Sequence, residues 1–121
     1  FRRVLFRSTF VATLLHSATN THFFHFSTDS FAKHMALGTY YDEIVDLVDD
    51  LTEQYMGVYG QIKSFPDLYH MPKEPVKYIE SLQGFVREGR KDLPQDSELQ
   101  NTIDSIMELL DSTAYKLKFL K

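Results

Sequence analysis

Apolar residues recur at helical spacing in four stretches of the chain, separated by clusters of turn-forming residues. In the second stretch Leu37, Ile44, Val48, Leu51 and Tyr55 share one face, which predicts a helix from Ser30 or Phe31 to Tyr59, closed by Gly57 and Gly60. In the fourth, Leu99, Ile103, Ile106, Met107, Leu110, Ala114 and Leu117 form an unbroken stripe. The helix they predict follows Asp92-Leu93-Pro94-Gln95 and is capped by Asp96, or by Ser97 with Gln100 as a capping box. Val76, Ile79, Leu82 and Val86 predict a shorter third helix from about Glu74 to Lys91, with Pro75 in its first turn. Val11, Leu14, Leu15, Ala18, His22, His25 and Phe26 predict the first helix, from about Thr9 to Phe26.

The connections between these helices set the topology. Ser27-Thr28-Asp29-Ser30 is a tight turn with an N-cap, so the first two helices form an antiparallel hairpin. Residues 61–74 hold Pro66 and Pro72, with Pro75 following, and cannot be one helix. Phe65, Leu68, Tyr69 and Met71 suggest that this crossover packs down on the bundle, with one short helical turn. The expected fold class is all-α: a single four-helix bundle over residues 9–121 with a long crossover between the second and third helices. Residues 1–8, FRRVLFRS, do not continue into the pattern that follows and are read as a non-native or disordered segment, outside the fold.

The second helix carries more than its core stripe. At about 100° per residue, His34, Gly38, Asp42, Val45, Asp49 and Glu53 fall on a separate strip, rotated away from the core. A second face of this kind calls for a second partner. Counting from the turn, His22 and His34 can face each other across the hairpin, as two imidazoles sharing a cation must. Asp49 and Glu53 are four apart and so are helical neighbours. His34 and Asp49 are separated by about 22 Å along a helix rising about 1.5 Å per residue, too far for one ion. A two-fold axis near Asp42 would bring His34 of one copy beside Asp49 and Glu53 of another, with two equivalent sites per dimer. His22, His34, Asp49 and Glu53 are therefore the candidate metal ligands, with His25 and Asp42 as further candidates. The bland alternatives are a hydrogen-bonded structural imidazole for His25 and a solvated face for the acids.

Composition narrows the chemistry. With no cysteine, thiolate sites and disulfides are excluded, and the expected compartment is a reducing cytoplasm. A net charge of −4 without a basic stripe argues against general nucleic-acid binding, and no apolar run is long enough for a membrane span. No Glu-x-x-His pair, His-Glu-x-x-His, phosphate loop or dinucleotide fingerprint occurs. At 121 residues the chain is small for a four-helix bundle, so burial in an oligomer would help it.

The stretch His22–Glu53 resembles the mini-ferritins of the DNA-binding-protein-from-starved-cells (Dps) family. Their motif is a His, a second His twelve on, an Asp four later, another Asp eleven after that, and a Glu four beyond. Without a gap this chain offers His22, His34, Gly38 in place of the first Asp, then Asp49 and Glu53. Phe23-Phe24 stands where the family has Trp-Asn. The resemblance implies a ferritin-like bundle and a ferroxidase centre at a two-fold interface, with histidines from one subunit and the later carboxylates from its mate. It further implies iron as the metal, oxygen or peroxide as oxidant, and a cage storing ferric mineral. The missing carboxylate at Gly38 and the short third helix argue against the cage and full activity, and zinc is an alternative ion. The whole chain is also similar to short helical proteins of unknown function encoded by tailed phages. Two rivals stand beside iron oxidation: a non-catalytic helical dimer or interaction protein on the same scaffold, and a DNA-compacting protein using the basic first eight residues.

Overall fold

In the computed structural model residues 2–121 are described, with side chains from Phe6 onward. These residues form four α-helices and one 3-10 turn: α1 Arg2–Ser27, α2 Phe31–Tyr59, α3 Pro75–Gly89, the turn Arg90–Asp92, and α4 Ser97–Phe119. Of the segment read as lying outside the fold, Phe1 and the side chains of residues 2–5 fall beyond the description. The helix that holds Thr9 begins at Arg2, and Phe6 packs on Phe10 at 6.1 Å between ring centres.

Local chemistry sets the helix ends. Ser30 caps α2, its hydroxyl accepting from the Lys33 amide at 3.2 Å. Gly60 ends α2 at φ +99°, a backbone region that favours glycine, and its N–H reaches Met56 O at 3.0 Å. Glu74 caps α3 by accepting from the Val76 and Lys77 amides at 3.0 and 3.1 Å, with Pro75 opening the helix. The expected capping box at α4 does not form. Asp96 precedes the helix without a side-chain cap bond, its carboxylate taking the Tyr59 hydroxyl instead. Gln100 turns back to the preceding loop, donating to Arg90 O and Pro94 O at 3.2 and 3.0 Å. The crossover, residues 60–74, contains no helical turn.

Side-chain pairs fix the directions of the helices. Ser17 meets Tyr40 and His25 meets His34, so α1 and α2 are antiparallel. Asn20 meets Tyr78 and Phe10 meets Phe85, so α3 also opposes α1. Gln54 meets Thr102, and Glu80 pairs with Lys118, so α4 opposes both α2 and α3. Thus α1 and α4 run one way and α2 and α3 the other. The crossover carries the chain back along the bundle over α1, with Tyr69 edge-on to His16 at 5.2 Å and His70 O accepting from Asn20.

The core runs the length of the bundle through Leu14, Leu37, Tyr40, Ile44, Ile79, Val86, Ile103, Ile106 and Leu110. The stripes expected for α2 and α4 are the buried ones. That of α1 is rotated from its expected position. Leu15 is 38% and Phe26 69% exposed, and His22 and His25 are half-buried; the inward face is Phe10, Leu14, Ser17, Thr21 and Phe24. Hydroxyls are tolerated there because each is satisfied locally. Ser17 donates to Leu14 O at 2.6 Å and Thr21 to Ser17 O at 2.7 Å. Since the Ser17 proton is used, the Tyr40 hydroxyl donates to Ser17 Oγ at 2.8 Å. Burial pushes the Tyr40 phenol far above its usual range, and burial raises Tyr78 as well.

Candidate functional site

The turn at residues 27–30 places one histidine of α1 directly against one of α2. The His25 and His34 rings stack with centres 3.6 Å apart and planes 20° from parallel. His25 Nδ1 lies 2.6 Å from His34 O, and His34 Nδ1 lies 2.9 Å from His25 O. A carbonyl oxygen can only accept, so both rings carry their proton on Nδ1 and keep the Nε2 lone pair free when neutral. The pair is half-buried and reciprocal: each imidazole holds the backbone of the residue it stacks on.

Gly38 gives this arrangement its room. A Cβ at that position would stand 3.2 Å from His25 Cε1 and 3.3 Å from His25 Nδ1. The position that lacks the expected carboxylate is therefore filled by an imidazole edge from α1.

His22 does not face His34, contrary to the expected pairing. Its ring lies between Phe26 and Tyr41, stacked at 4.7 and 4.0 Å, and its centre is 6.1 Å from that of His25. The reason is register. α1 ends at Ser27 and α2 begins at Phe31, so His25 lies two residues inside one helix end and His34 three inside the other, whereas His22 lies five inside. Near-equal distance from the helix ends selects His25. Counted from the turn formers at residues 27–30, His22 is the nearer match to His34, and only the observed helix ends select His25; the roles of Gly38, Tyr41 and Phe26 likewise depend on where the rings fall.

Asp42, Asp49 and Glu53 are exposed on the outer face of α2, and none forms an ion pair with another described residue. Within one chain the structure brings His25 against His34, with His22 beside His25 only, and leaves Asp49 and Glu53 further along the helix. Among the described residues no three His, Asp or Glu side chains are close enough to hold one ion. Val45, 36% exposed, lies on the same strip as these acids.

Elsewhere the core offers little room. The cavity lined by Val11, Leu51, Leu99 and Ile103 is about 20 Å³, space for about one water. Asn20, 2% exposed, donates to Tyr78 at 3.0 Å, while its Oδ1 is buried without a partner. Among the described residues no helix is long and apolar enough to cross a membrane.

These features define an all-helical protein whose first hairpin is clasped by histidines and lined by unpaired acids. The chain belongs to the family of unknown function DUF5856, whose model matches residues 25–117, from the clasp through nearly all of α4. It is similar to the "uncharacterized 14.6 kDa protein in mobD-ri intergenic region" of Enterobacteria phage T4. The two are 30% identical over 110 residues, which cover 89% of this chain and 84% of the phage protein. No solved structure matches the chain.

Proposed function

We propose that the protein is a ferritin-like bundle that binds Fe(II) at a site shared between two copies, where each iron gives one electron to oxygen or peroxide. The observation that carries this reading is the second strip of α2. Asp42, Asp49 and Glu53 are exposed and make no ion pair, and Asp49 and Glu53 lie too far along α2 from His34, about 22 Å or more, for one chain to join them. The connectivity supports the scaffold, because a single long crossover leaving α2 and α3 parallel is the ferritin-like arrangement. Exposed Leu15, Phe26 and Val45 supply apolar surface on the hairpin for a second copy.

Imidazole nitrogen and carboxylate oxygen together suit iron. His34 of one copy binds the ion, His22 joins it by swinging out from between Phe26 and Tyr41, and Asp49 and Glu53 of the other copy offset its charge and that of the ferric product. Iron is the substrate here. The test is anaerobic Fe(II) titration with sizing on the same samples. The expected result is a dimer or larger assembly holding up to about one iron per chain, two equivalent sites per dimer. A monomer that binds no iron overturns the reading.

A second reading, a non-catalytic interaction protein, is favoured by Phe23, Phe26, Phe31 and Met35, which are 50%, 69%, 77% and 53% exposed around the hairpin turn. On that reading assembly survives chelator, and His22→Ala leaves metal content unchanged.

A further inference from the structure

We propose that His25 and His34 form a divalent-metal site contained within one chain, of the zinc or copper(II) type, and that Gly38 is the residue that admits it. This goes beyond the shared iron site: it uses His34 but needs no second copy and no carboxylate.

The tautomers carry the first step. Both Nδ1–H groups are committed to backbone carbonyls, at 2.6 and 2.9 Å. A backbone carbonyl on the far nitrogen is the usual support of a metal-bound imidazole, since it sets the ring's orientation and raises the basicity of the ligating nitrogen. Here that support is built for two rings at once, across one turn, and neither Nε2 has a hydrogen-bond partner among the described residues. Two neutral imidazoles with no thiolate nearby select a borderline cation such as zinc or copper(II). Water completes the coordination on the exposed side of the half-buried pair.

The second step is room to move. Two imidazoles at about 2.0–2.1 Å from a tetrahedral ion have ring centres about 5 Å apart. The pair rests at 3.6 Å, so loading opens the stack. The His25 edge lies over Gly38, where a Cβ would stand 3.2 Å from it. A side chain at position 38 would push the His25 ring by a few tenths of an ångström and narrow the room it has to move.

Titration of the full chain with zinc, followed by calorimetry and by imidazole ¹H–¹⁵N correlation spectra, tests this. The expected result is one zinc per chain, with Nε2 shifts at His25 and His34 and loss of their mutual ring-current shift. His25→Ala and His34→Ala each weaken binding at least about tenfold. Gly38→Ala weakens binding by a smaller factor while keeping the fold, because alanine is the stronger helix former; it carries the test if His25→Ala unfolds. His16→Ala, which lies against Tyr69, leaves affinity unchanged. Full affinity in Gly38→Ala and His25→Ala overturns the site. So does loss of zinc binding in Asp49→Ala/Glu53→Ala, which moves the ion to the shared interface. Zinc binding that persists in that double variant while its iron uptake is lost separates the two sites.

Discussion

His25 and His34 hold each other's backbone: each donates Nδ1–H to the other's carbonyl while the two rings stack at 3.6 Å. The bonds and the stack join the last turn of α1 to the first turn of α2, beside a cap made by Ser30. A hairpin end with four exposed apolar side chains is thereby fixed by polar contacts rather than by burial.

Removing either ring should cost about 1–2 kcal/mol, one hydrogen bond plus part of the stack. In His25→Ala/His34→Ala the stack is lost once rather than twice. The double variant should therefore fall short of additivity by about 0.5–1.5 kcal/mol in urea unfolding. Strict additivity would show that the rings do not interact.

The Tyr40 phenol gives a pH signature. Its folded pKa is raised by burial from the ordinary 10.0. The stability it contributes is therefore full below pH 10 and is lost as pH rises from there toward the folded pKa, because the unfolded chain releases the proton first. Tyr78 is raised in the same direction by burial. Unfolding free energy should fall above pH 10, and Tyr40→Phe should flatten much of that fall. At neutral pH the same variant should lose about 1 kcal/mol with the Ser17 hydrogen bond. An unchanged alkaline slope in Tyr40→Phe would contradict the assignment.

The rotation of α1 is tested by two adjacent leucines. Leu14 is fully buried and Leu15 is 38% exposed. Leu14→Ala should destabilise by about 2–5 kcal/mol, and Leu15→Ala by no more than about 0.5 kcal/mol in a monomeric sample. The reverse order would restore the face expected from the apolar spacing.

That face was misread for a physical reason. In α2 and α4 the inward positions from Leu37 to Tyr55 and from Leu99 to Leu117 are aliphatic or aromatic except Thr113, whose hydroxyl is satisfied within its own helix, so periodicity alone marks the core. In α1 the inward positions include Ser17, Asn20 and Thr21. Their polarity hides the stripe, and Leu15 and Phe26 on the outer side supply a false one. The helix count, the hairpin, the crossover and the α2 cap were legible because turn chemistry is local. The pairing at the candidate site was off by one helical turn. Which histidine meets His34 depends on the register of a four-residue turn, and that register is set by the Ser30 cap and the space over Gly38.

Residues 1–8 bring three arginines and no acid. A chain beginning at Thr9 keeps Phe10, Leu14 and the hairpin, and loses the Arg7 bond to the Tyr55 hydroxyl. Its helicity per residue should match that of the longer chain, and any DNA retardation by the longer chain should disappear with the segment. Retardation that survives truncation would place a nucleic-acid surface on the bundle itself.

The proposed shared iron site is tested most directly by mixing two defective chains. His22→Ala/His34→Ala lacks the imidazoles, and Asp49→Ala/Glu53→Ala lacks the acids; neither binds iron alone if the ligands come from different copies. Unfolded and refolded together at equal amounts, half the dimers are mixed, and each mixed dimer has one complete site of two, so about a quarter of the wild-type iron binding should return. A mixture that binds no more iron than its separate components would show that no site is built across two copies.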